Sequence, residues 1–122
     1  MTAQTTVLYV DDEETLRMLV KHQLEAEGFT VETADDGDTA LEMLEGKRYD
    51  LVLLDVSMPR MNGVDVLKGI KERKILSRVI MLTGVDDLAV AMESVKNGAN
   101  DYLTKPFDSS ALVSCIKRVT AR

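Results

Sequence analysis

The sequence predicts an α/β domain, a (βα)5 doubly wound parallel sheet in the strand order 2-1-3-4-5 with helices on both faces. Three observations carry this prediction. Short apolar runs of strand length alternate with longer segments of helical periodicity through all 122 residues, and such alternation calls for parallel strands joined by right-handed crossovers. Three of the runs are short, apolar and bounded by polar residues, as expected of strands covered on both faces. Directly after strand runs stand Asp11 and Asp12, Asp55, Thr83 and Lys105, and the C-terminal ends of parallel strands open on one edge of the sheet, so these residues converge in one crevice.

The elements follow in order. Thr6–Val10 is the first buried strand. From about Glu13 to Glu27 the residues Leu16, Leu19, Val20 and Leu24 form one apolar stripe, and Gly28 ends the helix. Thr30–Ala34 is more polar and alternating, which suits a sheet edge. Asp38 is the expected N-cap of the second helix and Asn62 that of the third, with Leu51–Leu54 as the buried strand between them. Val79–Leu82 is the fourth strand. After Asp86, a further candidate cap, Leu88, Ala91, Met92 and Val95 make the fourth helical stripe and Gly98 stops it. Asn100–Leu103 is short and fits the other edge. The last helix starts at Asp108 or Ser109 and buries Leu112, Cys115, Ile116 and Val119.

The length suits one core, so residues 1–122 read as a single domain, with no repeat, low-complexity tract or linker. Arg122 follows the last helix at once, so no output domain is expected within these residues. With 21 acidic against 15 basic residues the net charge is −6, the wrong sign for a surface that binds nucleic acid directly. Cys115 is the lone cysteine; an internal disulfide is excluded, CxxC metal spacings are absent, and a reducing cytoplasm is the natural location. No signal peptide and no run of membrane-spanning length is legible, so neither export nor membrane insertion is expected.

In the 2-1-3-4-5 order the first and third strands are neighbours, which brings Asp11, Asp12 and Asp55 together. Three carboxylates at one place repel unless a cation joins them, and an all-oxygen donor set suits a hard divalent ion, Mg²⁺ above all. Carboxylates at a helix start also cap amides and favour the dipole's positive end. That explains Glu13 and Glu14; for Asp11 and Asp12 the presence of Asp55 on the next strand favours a metal site instead. Lys105 precedes Pro106, whose peptide bond tolerates a cis form that can aim the ammonium back over the acids, whereas alone it reads as a surface lysine. Thr83 alone reads as a hydroxyl capping the turn at Gly84. A carboxylate, a hard cation, an ammonium and a hydroxyl around one cavity are what in-line phosphoryl transfer requires, with an acyl phosphate on an aspartate as product.

The DD pair after the first strand, LLDVSMPRMNG around Asp55, LTG at Thr83 and NDYLTKPF near the end resemble the receiver domain of bacterial two-component response regulators, and in particular the single-domain chemotaxis-type regulator. The likeness spans essentially the whole chain and implies a flavodoxin-like sheet. It implies that Asp55 is the phosphoacceptor, that Asp12, Asp55 and the main-chain carbonyl of Ser57 ligate Mg²⁺ directly, and that Asp11 does so through water. Lys105 would pair with the phosphoryl group. Thr83 would move to bond a phosphoryl oxygen and Tyr102 would rotate into the space left, switching the face made by helix four, strand five and helix five. The implied donor is a sensor histidine kinase or histidine phosphotransfer protein that docks on helix one, where Met18 faces away from the core stripe near Lys21, His22 and Glu25. Val90, near Glu93, Ser94 and Asn97, is a candidate contact for an output protein or domain. A monomer is expected, with dimerisation on phosphorylation left open. Ser57 and Val85 flank the implied path of attacking water, and neither is a water-positioning base, which points to slow hydrolysis.

His22 reads as an exposed helix residue and Cys115 as an inert core thiol. A rival reading is a small phosphatase of the haloacid dehalogenase type: Asp11-x-Glu13-x-Thr15 loosely resembles its motif, with Asp11 as nucleophile. Its second position is Glu rather than Asp, no cap insertion exists, and Asp55 is left without a role. A flavin-binding module would want Gly, Ser and Thr amides after the first strand, where this chain is acidic, and it has no Trp to stack on the ring.

Overall fold

The alternation of side chains along the central strands divides the core into two layers, one on each face of the sheet. In the computed structural model, which describes residues 4–121, strand β1 is Thr6–Val10, β2 Thr30–Ala34, β3 Leu51–Asp55, β4 Arg78–Thr83 and β5 Asp101–Thr104. Helix α1 is Glu14–Ala26, α2 Gly37–Gly46, α3 Gly63–Glu72, α4 Leu88–Lys96 and α5 Ser109–Thr120. All strand pairs are parallel, in the order β2-β1-β3-β4-β5, the doubly wound flavodoxin-like arrangement expected. Val7, Tyr9, Leu51, Leu53, Ile80 and Leu82 pack with Val20 and Leu24 of α1 and Leu112, Cys115, Ile116 and Val119 of α5. Leu8, Val10, Val52, Leu54, Val79 and Met81 pack on the other face with Leu41, Val66, Ile70 and Ala91 of α2, α3 and α4. The even and odd residues of each strand thus serve different layers, as the pleat requires.

The helix ends follow local chemistry. Gly28 at φ 95° and Gly98 at φ 120° adopt the left-handed conformation that ends α1 and α4. Asn62 and Asp65 form a reciprocal capping box on α3, and Asp108 accepts from the Ala111 amide at 2.7 Å to cap α5.

Five local expectations differ from the structure. Asp36, not Asp38, caps α2, because its Oδ1 reaches the Thr39 amide at 2.7 Å while Asp38 already lies in the first turn. Asp86 is not a cap either: Val85–Asp87 form a 3₁₀ turn leading into α4, closed by the Asp87 amide on the Gly84 carbonyl at 3.1 Å. Leu19 is half exposed because the buried line of α1 runs i, i+4 through Leu16, Val20 and Leu24, which leaves Leu19 at its rim. Met92 is half exposed as well, and Ser94 is buried in its place, its hydroxyl donating to the Val90 carbonyl at 2.9 Å so that its burial leaves no polar group unpaired. Strands β3 and β4 extend one residue further than expected, so Asp55 and Thr83 are strand residues rather than the first residues of loops.

Candidate phosphoryl-transfer and metal site

Parallel register delivers the acids to one place. Val10 of β1 pairs with Leu54 of β3, which leaves Asp11 and Asp55 side by side just beyond, and Asp12 follows at the mouth of α1. Carboxylate oxygens of Asp11, Asp12 and Asp55 all lie within 4.8 Å of one another. Asp11 and Asp55 are buried while Asp12 is exposed, so the cluster opens to solvent on one side only. Three hard oxygen donors at this spacing fit a divalent metal ion.

Lys105 completes the constellation. Its amide donates to the Thr83 carbonyl at 2.7 Å, which fixes the loop after β5 against the end of β4, and the Lys105–Pro106 peptide is cis. The ammonium lies 3.2 Å from Asp11 Oδ2 and 3.3 Å from Asp55 Oδ1. Burial alone would lower its pKa, but Asp55 and Asp11 outweigh that and raise it, so the ammonium stays charged. Asp55 is pushed the other way from an ordinary carboxylate, up to about 6: burial is the main cause, Asp11 adds to it, and Lys105 and the Ser57 amide, 3.3 Å from Oδ1, oppose it.

Thr83 is fully buried beside this group, one residue past the Leu82 that pairs with Asp55, and its hydroxyl donates to the Gly84 carbonyl at 2.9 Å. The hydroxyl thus caps the turn at Gly84, which is how Thr83 reads when taken alone. Tyr102 pairs with Met81 in the β4–β5 ladder and packs, partly buried, against the layer containing α4. Ser57 and Val85 are exposed at the rim of the site. Met18 and His22 are exposed on α1, away from the acids, and Val90 lines a groove of about 660 Å³ between α3 and α4. Cys115 is buried, with its thiol pushed up to about 11 by burial first and Asp101 second, which agrees with an inert core role.

Three residues that the sequence did not single out also shape the site. The Tyr9 hydroxyl donates to Asp11 Oδ2 at 2.8 Å, and the Arg17 guanidinium donates to the Asp11 carbonyl at 2.7 Å. Gly63, the first residue of α3, packs so closely that a Cβ there would sit 2.4 Å from the Asp55 carbonyl oxygen. Period two in β1 was the available signal for Tyr9, since residues 9 and 11 share a face; the other two are tertiary contacts with no local signature. The same geometry disfavours Asp11 as a nucleophile: it is 1% exposed, and both of its carboxylate oxygens accept hydrogen bonds.

Comparison with known proteins gives a consistent picture. The profile of the response regulator receiver domain matches residues 7–117. The chain is 36% identical over 116 residues to the alkaline phosphatase synthesis transcriptional regulatory protein PhoP of Bacillus subtilis, covering 95% of this chain and 48% of that one. It is 42% identical over 116 residues to the transcriptional regulatory protein CpxR of Escherichia coli, covering 95% and 49%. The chain thus spans about half the length of these curated relatives. Among solved structures, a response regulator receiver domain protein from Clostridium thermocellum superposes with a TM-score of 0.91 at 34% identity, covering 97% of this chain and 95% of that one. The chemotaxis protein CheY4 of Vibrio cholerae superposes at 0.89 with 34% identity, covering 96% and 99%. A phosphatase of the haloacid dehalogenase type finds no support in these matches. This chain belongs to the receiver domain family of two-component response regulators.

Proposed function

We propose that this chain is a single receiver domain of residues 1–122 that takes a phosphoryl group onto Asp55 from a phosphohistidine of a sensor histidine kinase or histidine phosphotransfer protein. The observation that carries this reading is Asp55 at the end of β3, with the Lys105 ammonium 3.3 Å from Oδ1 and the Asp11 and Asp12 carboxylates beside it. In the transfer an Asp55 carboxylate oxygen attacks phosphorus, the P–N bond to the donor imidazole breaks as the P–O bond forms, and the imidazole leaves with the electron pair. Lys105 neutralises charge on the phosphoryl oxygens, and its contacts to both buried acids pre-position it. Asp11, Asp12, Asp55 and the Ser57 carbonyl are the residues that would hold Mg²⁺, which when bound supplies charge neutralisation for the acids and the transferred group.

The product carries a dianionic group where a carboxylate stood. Thr83, whose hydroxyl hydrogen goes to the Gly84 carbonyl without it, gains a stronger acceptor, and the loop before α4 and the Tyr102 ring shift with it. The helix α4, strand β5 and helix α5 face is then the surface read by an output protein or domain, and Val90, in the groove between α3 and α4, is a further candidate contact. Donor docking falls to α1 around Met18, which is 67% exposed. The module catalyses at most its own phosphorylation and dephosphorylation. No described helix is long and apolar enough to cross a membrane, which is compatible with work in the cytoplasm as a monomer that can dimerise when phosphorylated.

The test is intact mass after incubation with acetyl phosphate and Mg²⁺, followed by borohydride trapping and peptide mapping. One phosphoryl group on Asp55, absent in Asp55→Asn and dependent on Mg²⁺, is the expected result. Labelling of Asp11 with sustained turnover, or no labelling at all, refutes the reading.

A further inference from the structure

Tyr9 is a large polar side chain that the phosphoryl-transfer scheme does not use, yet its ring is fully buried in the α1/α5 layer and its hydroxyl is spent on one atom of the acidic site. We propose that Tyr9 is a positioning residue for the metal: its hydroxyl, 2.8 Å from Asp11 Oδ2, locks the Asp11 carboxylate in the orientation that serves Mg²⁺. This inference rests on the proposed function above.

Asp11 is held at three points. The Glu13 amide donates to Oδ1 at 2.9 Å, Tyr9 donates to Oδ2 at 2.8 Å, and Lys105 donates to the same Oδ2 at 3.2 Å. The Lys105 contact is the expendable one, because that ammonium is shared with Asp55 and is needed elsewhere once a phosphoryl group is present. What remains on Oδ2 is Tyr9. The ring cannot swing away, since it is wedged in a layer with Val20, Leu24 and Leu112. A carboxylate so restrained loses little freedom when a cation arrives. Groups that orient metal-ligating carboxylates in this manner change metal affinity about 10–100-fold when removed.

Tyr9→Phe keeps the ring and deletes only the hydroxyl. Calorimetric titration with Mg²⁺ alone is expected to show binding weakened about tenfold, and the Mg²⁺ concentration needed for half-maximal acetyl phosphate labelling rises in parallel while the rate at saturating Mg²⁺ is retained. A packing role alone lowers the melting temperature without moving either Mg²⁺ dependence. The chain has 3 Tyr and no Trp, so tyrosine absorbance offers an independent signature. Mg²⁺ added to a Tyr49→Phe, Tyr102→Phe variant, in which Tyr9 is the sole tyrosine, is expected to give a tyrosine difference spectrum that Asp11→Asn abolishes; this reading stands even if Tyr9→Phe does not fold. Wild-type protein that binds no Mg²⁺ refutes the metal reading and this inference together. Mg²⁺ binding as tight in Tyr9→Phe as in wild type, or a silent Tyr9 spectrum, refutes the inference alone.

Discussion

Asp55→Asn is expected to make the protein more stable at neutral pH in the absence of divalent metal, and the pH dependence of the gain is its signature. The Asp55 carboxyl is raised from 3.8 to about 6, chiefly by burial and further by Asp11. A carboxyl raised above its unfolded value means that the native state holds the proton more tightly than the unfolded chain does. Between these two values the native state binds more protons, so stability falls as pH rises through the window and stays low above it. A shift of roughly two units corresponds to about 3 kcal/mol at 1.36 kcal/mol per unit. Asparagine removes that cost but also removes one partner of Lys105, which keeps only Asp11, so the net gain is about 1–2 kcal/mol near pH 7. For a chain of this size that is a rise of about 4–8 °C in melting temperature. Urea unfolding followed by circular dichroism in EDTA from pH 4 to 8 measures it. The two curves should converge near pH 4, where wild-type Asp55 is protonated when folded, separate between pH 4 and 6, and run parallel above that; added Mg²⁺ should close the gap by binding wild type more tightly. An Asp55→Asn protein less stable than wild type at pH 7, or a difference that does not change with pH, refutes the reasoning.

Further outcomes follow from other contacts. Gly63→Ala drives a Cβ to 2.4 Å from the Asp55 carbonyl oxygen and 2.9 Å from Val56 Cα; backbone must yield, so stability should drop by about 1–3 kcal/mol with slower labelling of Asp55, and wild-type values in both assays would contradict the contact. Met18→Asp should slow transfer from the phosphohistidine donor while acetyl phosphate labelling proceeds normally; equal loss of both would count against docking on α1. With exposed Ser57 and Val85 at the rim and no water-positioning base there, the phosphoryl group should persist in Mg²⁺ buffer, and rapid spontaneous loss measured by intact mass would overturn this.

Much of this was legible because the physics is local and periodic. Apolar runs such as LVLL are buried on both faces and announce strands, and strict alternation with helical stripes leaves little choice of topology. The acids were legible for the same reason: in a parallel sheet, a residue's position at the end of a run is also its position in space. What failed was finer. Whether Asp36 or Asp38 caps α2 turns on which residue is extended rather than helical, a distinction of two positions that composition does not carry. Leu19 and Met92 lie at the rims of their stripes, and 100° per residue cannot separate rim from core until the neighbouring elements are in place. Gly63 reads as an ordinary helix start, and only the tertiary fold reveals the Asp55 backbone against it.

The pleat also divides the residues at this edge of the sheet between its two faces. Residues Val7 and Tyr9 of β1 and Leu51 and Leu53 of β3 belong to the α1/α5 layer, and continuing the alternation by two places puts Asp11 and Asp55 on that same side. In β4 the residues of that layer are Ile80 and Leu82, whereas Val79 and Met81 face α2, α3 and α4. Thr83 therefore falls on the opposite side from Asp55 although it ends the neighbouring strand, and Tyr102, paired with Met81, lies with it. Under the proposed function, charge added at Asp55 meets Tyr9, Asp11 and α1 on one face, and a response of Thr83 carries it to Tyr102 and α4 on the other. Tyr9 on the first side is fully buried and Tyr102 on the second only partly so: under the proposed function, the half with the acids stays fixed while the half with Tyr102 retains room to rearrange.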